Sequence, residues 1–436
     1  MAKKAEKIGF ITATSLVVGN MIGSGIFVLP AALAKYGSIS LLGWLFTAAG
    51  AIVLAVIFSK FSKIIVNKSG GPYAYSKAGF GDFIAFLVAW GYWISCWVVN
   101  AAIAVAIVSA LTIFFPILEI NALLAVGVGL GFIWFFTWIN SKGVKVSGKF
   151  QLVSTLLKII PLLLVIIFGI FFIDIANFSE FNVSGDSNFS AFSAVATLTL
   201  FAFLGIECAT IPATNVKDPE RTIPRATMLG TIITTGIYIL GTVVLFGVLP
   251  LESLSASPAP FAEAAKLIGG EYFGNFVAAG AALAAIGALN GWILIMGQMS
   301  MATAQDGLFP KLFKKENDRG VPALGFIFGS ALSSVIMLMN YSAGLVDQFE
   351  FMVLLTTLTC LIPYLFTAAS YGLILVNQKL KPKKKINALI LSSLGFAYSL
   401  WAIYGSGEEP VFYGFLLLLM GVPVYVIGKY NNRKET

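Results

Sequence analysis

The chain has 436 residues, of which 58% are hydrophobic and 11% are charged, and its formal net charge is +8. Soluble domains carry about 25% charged residues, so this composition excludes a soluble globular protein and indicates a multi-pass membrane protein. The net positive charge does not indicate a nucleic-acid partner, because the basic residues follow the pattern of a membrane topology.

Apolar segments of spanning length recur along the whole chain. A helix needs about 20 apolar residues to cross a bilayer, and we expect twelve such segments. The sequence therefore predicts an all-α integral membrane protein with twelve transmembrane helices, in which residues 1–436 form a single transmembrane domain. The segments are centred near residues 22, 49, 98, 130, 162, 201, 237, 288, 332, 362, 396 and 420.

Basic residues divide unevenly between the two sides of these segments. If both termini are inside, all but three of the 28 lysines and arginines lie in inside loops. The exceptions are Lys35 and Lys266 outside and Lys158 within a segment. This bias predicts that both termini are cytoplasmic. We expect the protein in the inner membrane of a prokaryote. Contact with anionic lipid accounts for the same residues without a further partner.

Glycine interrupts the first and sixth segments in the same way. Gly23 and Gly205 are each followed seven residues later by a Pro-Ala pair. Glycine permits unwinding within a helix, and unwound backbone at membrane depth is tolerated where it is buried in protein or lines a wet cavity. Corresponding breaks in two halves indicate a substrate site between inverted repeats. We expect repeats at 8–173 and 189–376, followed by two accessory helices at 386–428.

The first break predicts an anion site. An unwound turn followed by a new helix start offers free N–H groups and a positive dipole end, which suit a substrate carboxylate. We assign the carboxylate to Ser24 and Gly25, with Ile22 and Gly23 beside them. A simple kink, or close packing of small residues, is the alternative; the second break at Gly205 favours the site.

Several motifs, in order along the chain, resemble those of one transporter superfamily. They are the first break, Gly70-Gly71-Pro72-Tyr73-Ala74-Tyr75, Phe203-Leu204-Gly205-Ile206-Glu207, the loop from Asn215 to Ala226, and Asp306-Gly307-Leu308-Phe309-Pro310.

The set resembles the amino acid–polyamine–organocation superfamily over nearly the whole chain, and is most similar to its basic amino acid/polyamine antiporter branch, which includes arginine–agmatine exchangers. The resemblance implies a leucine-transporter-like fold, with a 5+5 inverted repeat and two additional C-terminal helices, and a tendency to form homodimers. No metal or cofactor is expected.

The second break supplies carbonyl groups. The half-helix before it ends near Phe201, Ala202 and Leu204, and carbonyls at a helix C-terminus attract a substrate ammonium. The resemblance implies that an aromatic side chain at Phe201 closes over bound substrate. Arginine–agmatine members carry tryptophan there, so phenylalanine is a departure. Without the resemblance, ordinary packing would explain this residue.

Glu207 is the only acidic residue that we place inside a span. Burial of a carboxylate in a membrane is costly, so this group should be protonated, paired or exposed to a water path. The resemblance implies a gating or proton-sensing glutamate at this position. A hydrogen-bonded brace between helices is the alternative.

Lys158 is the only basic residue within a span. Burial disfavours the charged form of a lysine, so its proton could come and go. The resemblance to proton-coupled, neutral-amino-acid members implies that its ammonium stands where sodium-coupled relatives hold an ion and braces the first broken helix. A permanent ammonium that does not titrate during transport is the alternative, and the sequence leaves both open.

Further candidates lie on the third, eighth and tenth segments. Asn100 could bind substrate or join helices. Trp292 resembles the family's substrate-facing tryptophan and could hold a cationic group by a cation–π contact. The remaining candidates are Cys96 and Thr356 for substrate, and Tyr92 and Tyr364 for gating.

The residue inventory excludes several classes of protein. The chain has no histidine, which removes histidine-containing triads and the HExxH zinc site. No aspartate lies in mid-span, and no phosphate-binding loop of an ATPase is present. We therefore expect a secondary amino acid transporter, an amino acid/polyamine antiporter or permease, that works by alternating access with proton linkage. A proton-coupled neutral amino acid symporter is the alternative; a channel would need a filter ring that is not apparent.

Overall fold

The computed structural model describes residues 7–23, 25–66, 68–112, 114–178, 181–339, 345–378, 381–405 and 408–433. In this part of the chain the regular structure is helical and contains no strand. The first eight α-helices are α1 Phe10–Met21, α2 Gly25–Ala34, α3 Ile39–Ile64, α4 Pro72–Thr112, α5 Ile117–Ile120, α6 Ala122–Ser141, α7 Val144–Gly169 and α8 Asn188–Phe201. The others are α9 Pro219–Val248, α10 Leu251–Ala256, α11 Pro260–Gly269, α12 Glu271–Gln305, α13 Ala323–Met339, α14 Leu345–Asn377, α15 Pro382–Gly405, α16 Glu408–Leu419 and α17 Gly421–Arg433.

Long apolar helices make this a multi-pass membrane protein. Among the described residues, nine helical stretches are long and apolar enough to cross a bilayer. The pair α1 and α2, bent by 40° at its break, makes a tenth when it is counted as one span. The helices α8 and α13 are apolar but shorter. The sequence predicted spanning segments at both of these places, so a count of twelve crossings stays a prediction.

The spanning helices differ in how deeply they are buried. Within their most apolar windows, 72% of α4 and 78% of α12 are buried, against 17% of the last stretch, Val411–Lys429. The long α4 is kinked at Gly81, where φ is 75°. The centre of the bundle is therefore built on α4 and α12, and the C-terminal stretch lies at its periphery.

The first glycine break separates α1 from α2. The first helix ends at Met21, and Ile22 leaves helical geometry with ψ at 86° while its N–H still donates to Val18 O. The next helix begins at Gly25. The position of Ser24, which we assign to the carboxylate site, lies outside the described residues.

The second break is longer than the sequence suggested. The helix α8 ends at Phe201, and the chain continues in turns as far as Pro212. Gly205 lies within these turns at φ 111°, a left-handed conformation that glycine adopts without a steric penalty. A short 3₁₀ helix, Ala213–Asn215, follows. The predicted sixth segment is thus helical over only 14 residues, because the glycine conformation ends the helix before the apolar run ends.

Candidate functional site

The two glycine breaks lie against each other. A Cβ atom added to Gly205 would lie 3.3 Å from the Cβ of Asn20 and 3.4 Å from the Cγ of Met21. A Cβ atom on Gly25 would lie 3.4 Å from a ring carbon of Phe201. Close approach of two backbones is a common reason for glycine in a packed helix. The breaks, although far apart in the sequence, therefore form one region.

A tyrosine of α9 ties the ends of the two broken helices together. The hydroxyl of Tyr238 lies 2.6 Å from Met21 O and 2.9 Å from Ala202 O, and it is placed to donate to both carbonyls. The last carbonyls of a helix lack intrahelical partners and must find donors elsewhere. Tyr238 therefore shares its single hydroxyl proton between one end of α1 and one end of α8, and the carbonyl of Ala202, which we expected to face a substrate ammonium, is one of its acceptors.

Lys158, a residue of α7, donates hydrogen bonds to backbone carbonyls at the first break. Its side chain is fully buried, and Nζ donates to Gly19 O at 2.6 Å and to Ile22 O at 2.5 Å. A third carbonyl, Ala284 O on α12, lies 3.5 Å away. An ammonium is favourable at a helix C-terminus because it offsets the partial negative charge of the carbonyls. This geometry fits the brace that the resemblance implies.

Glu207 joins three elements at the second break. Its carboxyl oxygens accept short hydrogen bonds from the hydroxyls of Tyr92 on α4 and Tyr364 on α14. The hydroxyl of Tyr364 in turn accepts from the N–H of Gly205 at 3.2 Å. All three side chains are buried. The predicted gating residues therefore form one cluster, which we call the carboxyl–tyrosine cluster (Glu207, Tyr92 and Tyr364).

Aromatic side chains surround the contact between the breaks. The indole N–H of Trp292 on α12 points at Asn20 O, 3.4 Å away, and its ring lies 6.4 Å from that of Tyr92. Phe201, which is partly buried, contacts Gly25. Rings at this position could contact a substrate that bridges the two helix ends.

Other predicted pocket residues make different contacts. Asn100 is fully buried, and its amide nitrogen lies 3.5 Å from the sulfur of Met296 on α12. Thr356 donates to Met352 O of its own helix. Cys96 is buried with a free thiol. In the described part of the chain, no hydrogen bond joins Asn100 or Thr356 to either break.

Two side chains at the site could not be found from the sequence. Tyr238 lies in an ordinary apolar helix, and nothing in its spacing distinguishes it from a packing residue. Asn20 directly precedes the first break, and its amide donates to the thiol sulfur of Cys208 beside the second break at 3.0 Å. Both act across long sequence separations, so the folded chain alone reveals them.

Two loop motifs meet outside the spanning segments. The hydroxyl of Tyr73 and the ammonium of Lys77 each donate to Asp306 Oδ2 at 2.7 Å. Burial acts to raise the pKa of Asp306, but the hydrogen bonds and charge of Lys77 and Tyr73 outweigh it and hold the pKa below its usual range. Asp82 extends the cluster, with Lys77 at 3.6 Å and Lys429 at 2.6 Å. These contacts dock the start of α4 against the end of α12, and α17 against α4.

The broken helix pair, with charged groups held at both breaks inside a bundle of apolar helices, defines a membrane transporter. The family model for "Amino acid permease" matches residues 8–422. The chain belongs to this amino acid permease family, and it is a secondary transporter and not an enzyme.

Relatives extend the match over almost the full length. The chain is 33% identical to "Putrescine transporter PotE" of Haemophilus influenzae over 436 residues, 99% of either chain. It is 32% identical to "Putrescine transporter PotE" of Escherichia coli K12 over 97% of this chain and 96% of the relative. It is also 32% identical to "Cadaverine/lysine antiporter" of Escherichia coli K12, over 97% and 95%. These matches confirm the superfamily and the antiporter branch that the motifs predict.

Proposed function

We propose that the protein exchanges an amino acid for a related amine by alternating access, and that the substrate binds where the two breaks meet. The observation that carries this proposal is the contact of Gly25 with Phe201, which brings the start of α2 and the end of α8 together. Half-helix ends at membrane depth supply the two dipoles that a zwitterion needs.

The arrangement favours a substrate with a carboxylate. The first N–H groups of α2, from Gly25 onward, have no partner within their own helix, and they suit an anion. Lys158 already holds the carbonyls of Gly19 and Ile22, so these do not compete for a substrate ammonium. The ammonium is assigned to the end of α8 between Phe201 and Leu204, with Phe201 and Trp292 around the side chain.

A diamine is the proposed counter-substrate. The names of the relatives mention putrescine, and cadaverine with lysine, and each of these diamines is a diamino acid that has lost its carboxylate. Glu207 is the acidic group nearest the breaks, but both of its oxygens already accept from tyrosines. A diamine would therefore depend on carbonyls and aromatic faces, and would bind in the space of the amino acid side chain.

Charged groups at the breaks couple this site to gating. The carboxyl–tyrosine cluster joins α4 and α14 to the second break, and separating these helices requires its hydrogen bonds to open. Loss of the Lys158 proton would remove a positive charge from the end of α1. We assign gating to the cluster and proton linkage to Lys158. A proton-coupled symporter of neutral amino acids is the second candidate, favoured by the presence of this lysine.

The architecture that we propose has twelve crossings. The broken pair, the nine long helices and the two shorter apolar ones, α8 and α13, would be these crossings. Repeats at 8–173 and 189–376 would each contain one break, and residues 386–428 would be accessory. We place both termini in the cytoplasm and the protein in the inner membrane, and we expect a homodimer, which the mass of the purified protein in detergent would test.

Uptake into proteoliposomes tests the function. Purified protein would be assayed with labelled arginine, ornithine, lysine, alanine and leucine, with and without internal amino acid or diamine. We expect saturable uptake that needs internal substrate. Uptake into empty liposomes driven by an inward proton gradient would replace exchange with symport. A non-saturating current would overturn both and indicate a channel.

A further inference from the structure

A stripe of polar side chains runs along α7 to Lys158. The stripe consists of Ser147, Gln151, Ser154 and Lys158, whose spacing of four, three and four residues places them on one helical face. None of these side chains is more than 4% exposed, although most of the helix is apolar. Polar groups at membrane depth are expensive and mark ion or proton pathways. The stripe begins at the end of α7 near Val144 and ends at the first break.

The part of this stripe nearest the start of α7, Ser147 and Gln151, is hydrogen-bonded to α12, and α12 is hydrogen-bonded in turn to α6. Asn290 is the centre of the network: its amide nitrogen donates to Gln151 Oε1 at 3.0 Å and to Ser147 O at 3.2 Å. Its amide oxygen accepts from Ser147 Oγ and from Asn140 Nδ2, each at 3.2 Å. A continuous polar connection therefore leads from the end of α6 into the bundle.

Beside this network, one buried hydrogen-bond donor and one buried acceptor lack a partner. Gln151 Nε2 and Asn20 Oδ1 have no hydrogen-bond partner among the described residues. Gln151 is fully buried and Asn20 is 4% exposed. Buried polar atoms are almost always satisfied by protein or by ordered water, and a donor facing the same region as an acceptor suits water.

Glycines let these polar groups pack directly against neighbouring helix backbones. A Cβ atom on Gly19 would lie 2.0 Å from Gln151 Nε2, and one on Gly291 would lie 1.8 Å from Asn20 Oδ1. One turn earlier on α12, a Cβ on Gly287 would lie 2.6 Å from Ser154 Oγ and 3.7 Å from Lys158 Nζ. Side chains at these three positions would displace Gln151, Asn20 or Ser154, so the glycines keep these polar groups in place beside the first break.

We propose that ordered water joins Gln151, Asn20 and Ser154 to Lys158, and that this path is the route by which Lys158 exchanges its proton with the membrane face at which α7 begins. This rests on the proton linkage proposed above. In the transfer step, the ammonium of Lys158 gives one proton to an adjacent water and becomes a neutral amine. The excess proton then moves along water and the hydroxyls of Ser154 and Ser147. The reverse transfer restores the ammonium.

The helices that pack on α7 offer no carboxylate beside Lys158 that could replace water as the acceptor. The helices α1 and α6 carry no titratable side chain over their described ranges. The titratable side chains of α12 lie in its first turn. The hydroxyl of Tyr238 on α9 is already hydrogen-bonded to two carbonyls. The remaining titratable and charged groups on these elements are Glu220, Arg221 and Arg225 at the start of α9, Glu263 and Lys266 on α11, and Glu271 and Tyr272 on α12.

Silver ions, which are small enough for a narrow aqueous path and react with thiols, test the route. Ser154→Cys would be compared with Val153→Cys, the neighbouring residue on α7, which is 56% exposed on the apolar surface. Silver would be added from the side at which α7 begins, and the rate of inactivation of uptake would be measured against the parent, whose three thiols are buried. We expect faster inactivation of Ser154→Cys alone.

Equal rates in Ser154→Cys, Val153→Cys and the parent would overturn the route. If Ser154→Cys does not fold, Ser147→Cys takes its place with the same expected outcomes. A second measurement separates the route from the proposed function. We expect Gln151→Leu to shift the pH profile of uptake in the same direction as Lys158→Ala does, while Thr137→Val, which alters a buried hydroxyl of α6, leaves it in place.

A shift in Lys158→Ala with no shift in Gln151→Leu would overturn the route and leave proton linkage intact. An unchanged profile in Lys158→Ala, together with silver access to Ser154→Cys, would overturn proton linkage and show a water path without that role.

Discussion

The two breaks share a sequence pattern but are stabilised by different chemistry. At the first, an ammonium from α7 donates to the carbonyls of Gly19 and Ile22. At the second, the Gly205 N–H donates to Tyr364, whose hydroxyl donates to the carboxyl of Glu207. The first break is therefore sensitive to the loss of one proton from a single cation. The second depends on the alignment of hydroxyl groups from α4 and α14, and so on the position of those helices.

The largest expected effect is the loss of the cation at the first break. Lys158→Ala leaves two buried carbonyls without a charged donor, and a hydrogen bond to a charged group is worth about 1.5–3 kcal/mol. We expect the state with an intact first break to lose at least about tenfold in population. The pH profile of uptake, measured from pH 5 to 9, should shift, while the order of preferred substrates should change less.

Lys158→Met is the control, because it keeps the length of the side chain without the charge. The two variants should behave alike if charge is what matters. An unchanged pH profile in both would show that Lys158 is a permanent tether, and the contrast between the two breaks would then be one of geometry alone.

The next effect separates the two tyrosines of the second break. Tyr364→Phe removes a donor to Glu207 and also the acceptor of the Gly205 N–H, so it leaves two buried groups unpaired. Tyr92→Phe removes a donor to Glu207 only. An unpaired buried group costs about 1–3 kcal/mol. Thermal unfolding in detergent should show the larger loss of stability for Tyr364→Phe, and equal losses would mean that the bond to Gly205 contributes little.

A smaller effect distinguishes the two glycines. Gly205 has φ 111°, and an added Cβ would meet Asn20 at 3.3 Å, whereas Gly23 lies outside the left-handed region and an added Cβ would meet Ala288 at an ordinary 3.7 Å. Left-handed geometry costs an L residue about 1–2 kcal/mol. Gly205→Ala should therefore lower the unfolding temperature, while Gly23→Ala should leave it nearly unchanged and weaken uptake through the substrate site. A similar loss of stability in both would contradict this assignment.

The comparison also shows what the sequence could predict. Both breaks stand out because Gly23 and Gly205 share the same spacing to a Pro-Ala pair. Lys158 and Glu207 stand out because ionisable residues are rare in apolar segments. Tyr238 does not stand out, because its bonds to Met21 and Ala202 depend on the packing of α9 against two other helices. The length of the second break was not predictable either, since the residues after Gly205 are as apolar as those of a helix, and the φ of the glycine decides where the helix ends.

The smallest expected effect lies away from both breaks, at Asp306. Lys77 and Tyr73 hold the pKa of this carboxyl below its usual range, although burial opposes them. Its proton affinity is thus weaker in the folded chain than in the unfolded one, so the stabilisation is fully present above the unfolded pKa, about 3.9 for aspartate, and is lost as the pH falls through the folded value. Since the group is 38% exposed, we expect Asp306→Asn to cost only about 0.2–1 kcal/mol at pH 7.

Thermal unfolding of Asp306→Asn and the parent in detergent, at pH 7 and at pH 3, measures this contribution. The two proteins should differ more at pH 7 than at pH 3, and Asp318→Asn, in the exposed connection that follows, should differ little at either pH. A difference as large at pH 3 as at pH 7 would contradict a contribution from the lowered pKa of Asp306. In that case neither break would be affected, because the hydrogen bonds and ion pairs of this cluster join α4 to the end of α12 and to α17, away from the substrate site proposed here.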